Sequence, residues 1–161
     1  MRLLNKVVIV TGAAGGIGEA QCRLFATERA KIVVSDTNEE KGSKLANDIS
    51  LAGGSAFFVN LDVSSESDWT SLVEISIDRF KTIDVLVNNA GIYRTESIQE
   101  ENPDDWDRLM SVNLKGAFLG TKAVIDSMRS NKSGSIINVS STTALVGSWR
   151  GGAYGASKAA L

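Results

Sequence analysis

Histidine is absent from this 161-residue sequence, and cysteine and proline occur once each. Without imidazole, the Ser-His-Asp and Cys-His arrangements of nucleophilic catalysis are excluded, together with every metal site that needs a histidine ligand. The single thiol, Cys22, allows neither an intrachain disulfide nor a multi-thiolate zinc site, and it points to a reducing compartment. No metal site is expected. Long hydrophobic runs are missing as well. The first apolar run, Val7-Val8-Ile9-Val10, ends after four residues at Thr11-Gly12, too short for a signal peptide or a bilayer span. The expected location is the cytoplasm, with no membrane partner. Neither sign of charge dominates: 17 basic residues against 19 acidic ones leave a net charge of −2, with no basic footprint for nucleic acid. Any catalysis therefore rests on carboxylates, Lys, Tyr, Ser, Thr or a bound cofactor.

What is present reads as an ordinary globular chain of one domain, residues 1–161, with 43% apolar and 22% charged residues. Val7–Val10 is a buried strand, and Ile17, Ala20, Gln21, Leu24 and Phe25 recur with the period of an amphipathic helix. Lys31–Asp36 is a second strand. Asn38 caps a helix over 39–52, which Gly53-Gly54 closes. Ala56–Val59 is a third strand, and Ser65–Phe80 a helix with Trp69, Leu72, Val73, Ile75, Ser76 and Phe80 near one face. Ile83–Val87 is a fourth strand. Pro103 sits just inside the start of a long helix, Asp104–Arg129, where proline is tolerated. Gly134–Val139 is a fifth strand, and another helix begins at Gly152. Strict alternation of helices with continuously apolar strands means a parallel sheet covered on both faces, a doubly wound α/β fold.

The loop Thr11-Gly12-Ala13-Ala14-Gly15-Gly16-Ile17-Gly18 lies between the first strand and the first helix. Glycines there allow a tight turn and a close approach of backbone to a pyrophosphate, which the helix N-terminus then favours electrostatically. Asp36 ends the second strand, 18 residues after Gly18, where a carboxylate can bind the ribose hydroxyls of adenosine. It would repel a 2′-phosphate, and Ala13, Ala14 and Thr37 supply no basic residue to hold one. The expected cofactor is NAD in preference to NADP.

The spacing TGxxxGxG resembles the cofactor loop of the short-chain dehydrogenase/reductase family. The resemblance continues in order through Asp62-Val63, Asn88-Asn89-Ala90-Gly91, Asn113, Ser141 and Tyr154-Gly155-Ala156-Ser157-Lys158. It implies a Rossmann-type sheet of five strands in the order 3-2-1-4-5. It also implies cofactor contacts from Gly12, Gly16, Ile17 and Gly18, with Asp62 and Val63 flanking the adenine and Asn89, Ala90 and Gly91 lining the cleft. Asn113, Ser141, Tyr154 and Lys158 would be the catalytic set, with Tyr154 and Lys158 also touching the cofactor. The substrate would be a small alcohol or ketone, and the protein a homo-oligomer.

The residues themselves suit that chemistry. Tyr154 and Lys158 are four apart on the opening turn of a helix and share a face, and an ammonium beside a phenol favours the phenolate. Tyr154 could then take a proton from an alcohol or give one to a carbonyl. Ser141 closes the fifth strand at the ligand-binding end of the sheet, where a hydroxyl can hold the reacting oxygen. Ser140 competes for that role, but strand alternation sends the two side chains opposite ways, and the family pattern selects Ser141. Asn113 interrupts the apolar face of the long helix formed by Trp106, Leu109, Met110, Leu114, Ala117, Phe118 and Thr121. The resemblance assigns it the bending of that helix and a proton-relay water toward Lys158. Trp149 is placed for either substrate contact or loop packing.

The family's fold runs on past the position of Leu161, so the expectation is a chain without the C-terminal strands and substrate loop. Two readings stay open: an NAD-dependent oxidoreductase of alcohols and ketones, or a catalytically inert nucleotide-binding or interaction module of the same fold.

Overall fold

The computed structural model describes residues 1–161. Five strands, β1 (Val7–Thr11), β2 (Lys31–Asp36), β3 (Ser55–Asn60), β4 (Val85–Asn88) and β5 (Ser135–Asn138), form one sheet in the order β3-β2-β1-β4-β5. Every pairing is parallel. Helices α1 (Gly16–Thr27), α2 (Glu39–Leu51), α3 (Glu66–Phe80), α4 (Pro103–Met110), α5 (Gly116–Ser130) and α6 (Gly152–Ala159) connect the strands. Successive side chains of a strand point to opposite faces, and β1 shows the consequence. Val7 and Ile9 enter one core with Trp69, Leu72, Val124 and Met128 of α3 and α5. Val8 and Val10 enter the other with Cys22, Leu45, Ala46 and Ile49 of α1 and α2. The result is a three-layer Rossmann-type αβα fold.

Local chemistry explains most helix starts. The side chains of Asn38, Ser65 and Asn102 accept N–H bonds from Lys41, Asp68 and Asp104, respectively, and Pro103 occupies the first turn of α4. Before α1 stands Gly15, which offers no side-chain cap.

Two helix faces differ from the periodicity reading. In α1 the buried residues are Gly18 and Cys22, whereas Ile17 and Leu24 are 62% and 60% exposed. Small residues let the helix lie close on the sheet, which turns its larger side chains outward. The long helix is two helices joined by a π-helical segment, Ser111–Lys115, around Asn113. Its buried stripe is Leu109, Asn113, Gly116, Ala117, Leu119, Gly120, Val124 and Met128, and Phe118 is exposed. A Cβ on Gly116 would lie 2.8 Å from Val63 Cγ2, and one on Gly120 would lie 2.7 Å from the Trp69 ring. The helix meets its neighbours through absent side chains, which hydrophobic periodicity does not register. The fifth strand is shorter than expected, and all four of its residues are exposed.

One buried hydroxyl joins the carboxyl ends of the central strands. Thr11 Oγ1 donates to the Val87 carbonyl at 3.2 Å and accepts from the N–H groups of Asn89 (3.0 Å) and Ala90 (2.9 Å). Thr11→Val keeps the shape but leaves the part-buried Ala90 N–H without its acceptor, at a cost of about 1–3 kcal/mol, whereas the Asn89 N–H keeps the Val87 carbonyl at 2.9 Å. The expected result in a denaturant titration is a loss of about 1–3 kcal/mol, with an unchanged slope showing that two-state unfolding persists.

Candidate active site

The turn after β1 is built on glycine. Gly12 has φ +61° and Gly16 φ +54°, in the left-handed region that side chains disfavour. A Cβ on Gly12 would lie 2.8 Å from the Ala90 backbone, so the turn presses directly on the segment after β4. Asn89 completes the contact: its Nδ2 donates to the carbonyls of Thr11 (2.8 Å) and Gly12 (3.1 Å). A Cβ on Gly18 would run into the Gly12 carbonyl, whereas Gly15 and Gly16 face open space. The first backbone bond of α1 runs from Glu19 N to Gly15 O at 3.3 Å. The N–H groups of Gly16, Ile17 and Gly18 therefore point out of the helix end with no intrahelical acceptor. An uncapped helix start behind an open glycine surface fits a pyrophosphate.

From this turn a cleft of 410 Å³ runs past Asp36, Asp62, Val63, Ala90 and Gly91. The Asp36 carboxylate stands at its lip, held by two backbone donors, Ala14 N and Asn38 N, each at 2.9 Å. Glu39 and Glu40 follow in the first turn of α2, so this end of the cleft is acidic. The Asp62 carboxylate accepts from Ser64 N (2.9 Å) and Ser64 Oγ (2.7 Å), which fixes the turn leading into α3. Val63 is buried, and its carbonyl accepts the Trp69 indole N–H at 3.0 Å. A hollow of 480 Å³ beside the C-terminal ends of α1 and α2 contains none of the predicted site residues.

Ser111 and Val112 of the π segment also line the cleft, and Asn113 of that segment and Lys158 of α6 approach it at Gly91. Asn113 is 2% exposed, and its Oδ1 accepts from Ile92 N at 2.8 Å. Its Nδ2 donates to the Ile92 carbonyl at 3.0 Å and to Ser157 Oγ at 3.1 Å. The amide is satisfied, and in that role it ties the post-β4 loop to both helices. Lys158 is 5% exposed, with Nζ donating to the Val139 carbonyl at 2.8 Å. Its burial pulls the ammonium below the ordinary lysine range. Gly91 separates these groups: a Cβ there would lie 3.3 Å from both Asn113 Oδ1 and Lys158 Nζ. Tyr154 is half-buried, and the Tyr93 ring meets it edge-on with centroids 4.8 Å apart.

The two serines after β5 have separate partners. Ser140 Oγ donates to the Lys158 carbonyl at 2.7 Å and so holds the end of α6. Ser141 lies beyond the strand and starts the short 3₁₀ turn Thr142–Ala144. Its Oγ accepts from Thr143 N (3.2 Å) and Thr143 Oγ1 (2.9 Å). Trp149 is 80% exposed. Cys22 is buried, and desolvation, aided by nearby Glu19, pushes its thiol up to about 12, which removes it as a nucleophile.

The chain belongs to the short chain dehydrogenase family, whose family model matches residues 6–161. It is 44% identical over 160 residues to the cyclopentanol dehydrogenase of Comamonas sp. (strain NCIMB 9872), covering 99% of this chain and 64% of that protein. It is 39% identical over 163 residues to the trans-4-hydroxycyclohexanecarboxylate dehydrogenase of Sinomonas cyclohexanicum, covering 98% and 62%. With a 2,5-dichloro-2,5-cyclohexadiene-1,4-diol dehydrogenase of Sphingobium indicum it shares 38% over 160 residues, covering 99% and 64%. The chain thus spans less than two thirds of the length of these relatives. No helix is long and apolar enough to cross a membrane.

The sequence pattern assigns no individual role to four participants, Thr11, Tyr93, Ser157 and the Val139 carbonyl. Thr11 carries a signal, as the polar end of an otherwise apolar strand. The others depend on tertiary proximity.

Burial of Lys158 gives a signed pH dependence. Its native proton affinity is depressed, so around and above the depressed native pKa the unfolded chain binds more protons and stability rises with pH toward the free-lysine range. Lys158→Met should raise the denaturation midpoint at neutral pH and remove that alkaline rise, measured by urea titrations at several pH values. An unaltered pH slope would contradict the burial of a charged ammonium.

Proposed function

We propose that this protein is an NAD-dependent oxidoreductase interconverting a secondary alcohol and a ketone, with Tyr154 as general acid and base. The observation that carries this reading is Gly91, where the nucleotide cleft meets Asn113 and Lys158 within contact distance. A binding cleft and a buried ammonium brought together at one glycine suit hydride transfer coupled to proton transfer. The named activities of the relatives, on cyclopentanol, a hydroxycyclohexane carboxylate and a cyclohexadiene diol, favour an alicyclic secondary alcohol as substrate.

Bound along the cleft, the nicotinamide supplies the chemistry of hydride acceptance or donation at the carbinol carbon. Residues of this chain do the rest. Gly12, Gly16, Ile17 and Gly18 hold the pyrophosphate, and Asp36 binds the adenosine ribose hydroxyls. Asp62 and Val63 flank the adenine, while Asn89, Ala90 and Gly91 shape the floor. In oxidation the Tyr154 phenolate takes the hydroxyl proton, and in reduction the phenol returns it. Ser141 holds the reacting oxygen beside Tyr154. Lys158 contacts the cofactor, and Asn113 anchors the relay behind it. Residues 1–161 act as one nucleotide-binding domain. We place the protein in the cytoplasm, in keeping with its single buried thiol. We also read it as a homo-oligomer, supported by exposed Phe118, Ile136 and Ile137. Sizing as a monomer, or export of the chain, would contradict these two readings.

Two measurements test the assignment. NADH should bind at least about tenfold more tightly than NADPH, roughly 1.4 kcal/mol, because Asp36, Glu39 and Glu40 repel a 2′-phosphate. Asp36→Ala should narrow that gap, and equal affinities in the unaltered chain would refute the preference. With cyclopentanol and NAD, Tyr154→Phe should leave NADH affinity in place and lower turnover about 100-fold or more. A variant that keeps a tenth of the parent rate would mean that another group moves the proton.

A further inference from the structure

Beyond Gly91, the loop between β4 and α4 has no part in binding or proton transfer as described, yet it touches the proposed acid-base residue. The Tyr93 ring lies at 88° to the Tyr154 ring, the edge-to-face arrangement that sets a positive ring edge against a negative face. The loop is tied down at three points. Asn113 grips Ile92 through both its N–H and its carbonyl. Arg94 pairs with Asp105 of α4 at 2.9 Å. At the far end, Arg150 Nη2 donates to Glu96 and Glu100, each at 2.9 Å, and Glu96 forms a lone β-bridge with Gly151. The Ser97 hydroxyl steadies the Glu100 carboxylate at 2.8 Å.

Arg150 itself is unusual. Its φ is +55°, in the left-handed region, although Gly151 and Gly152 follow immediately. Glycine would adopt that conformation without steric penalty, and a side chain persists there only where its surroundings hold it. With the Arg150 side chain 44% exposed, the ion pairs contribute little to stability, as exposed pairs generally do. Their consequence is geometric. Arg150 lies four residues before Tyr154, so it clamps the start of α6 to the loop that carries Tyr93.

We propose that Tyr93 and Arg150 are positioning residues for Tyr154: Arg150 straps the post-β4 loop to the start of α6, and Tyr93 then fixes the orientation of the Tyr154 ring. The proposal rests on Tyr154 being the proton-transferring group.

The chain has only two tyrosines, and both take part in this contact. Fluorotyrosine labelling therefore gives a fluorine NMR spectrum with one resonance from each partner. Arg150→Gly removes the clamp and relieves the backbone in a single change. Both resonances should shift or broaden while the denaturation midpoint holds or rises, and Arg150→Lys should restore part of the parent spectrum. With cyclopentanol, Arg150→Gly should lower kcat about tenfold, the kind of loss that slight misplacement produces, and leave KM for NAD unchanged. Unmoved resonances would overturn the proposal. So would moved resonances with an unchanged kcat, or with a lowered midpoint, which marks a merely structural contact. If the parent chain binds NADH but turns over no alcohol, the reading of the reaction fails, whereas the resonances still decide whether the strap exists.

Discussion

The Thr11 hydroxyl and the Asn89 amide form the joint from which the candidate site is suspended. Parallel strands end with free backbone groups at their carboxyl edge, and in open α/β sheets ligands bind there. Here Thr11 Oγ1 takes up the N–H groups of Asn89 and Ala90, and Asn89 Nδ2 returns bonds to the carbonyls of Thr11 and Gly12. The turn after β1 and the segment after β4 thereby become one rigid surface. Gly12 can then pack against Ala90, Gly18 against Gly12, and the open glycines 15 and 16 are left facing the cleft.

The second half of the site is carried by this surface. Once Ala90 is fixed, Gly91 and Ile92 present a groove that only an absent side chain leaves open, and Asn113 and Lys158 close on it from two helices. A regular α-helix would give Asn113 a different outlook. The π segment around it is a common device for turning a functional side chain inward. The cost of burying the Lys158 ammonium is met locally by the Val139 carbonyl, and Ser140 secures the end of the same helix.

Much of this was legible in the sequence, for physical reasons that also mark where legibility ended. Apolar runs such as Val7–Val10 and Lys31–Asp36 report burial on both faces, and the strand order followed from the family resemblance. Asn38, Ser65 and Pro103 are local signals, and they mark helix starts. Helix faces escape the periodicity where small residues make the contact. Periodicity counts large apolar side chains, so Gly18 with Cys22 in α1, and Gly116 with Gly120 in α5, register as gaps although they are the contact surfaces. Ser141 starts a 3₁₀ turn and does not close the strand, since strand ends depend on what the neighbouring chain offers. The Tyr93–Tyr154 contact and the Val139 carbonyl join elements far apart in sequence, and no single segment encodes them.

A dinucleotide lying along this cleft would run from Asp36 to Gly91, where Lys158 and Asn113 approach. The most direct measurement is a crystal structure of the chain grown with NAD. The expected density has the adenosine ribose on Asp36, the pyrophosphate over the amides of Gly16–Gly18, and the nicotinamide end beside Gly91, Tyr154 and Lys158. Dinucleotide density in the hollow near Arg29 and Gly53, or an empty cleft at saturating NAD, would contradict it.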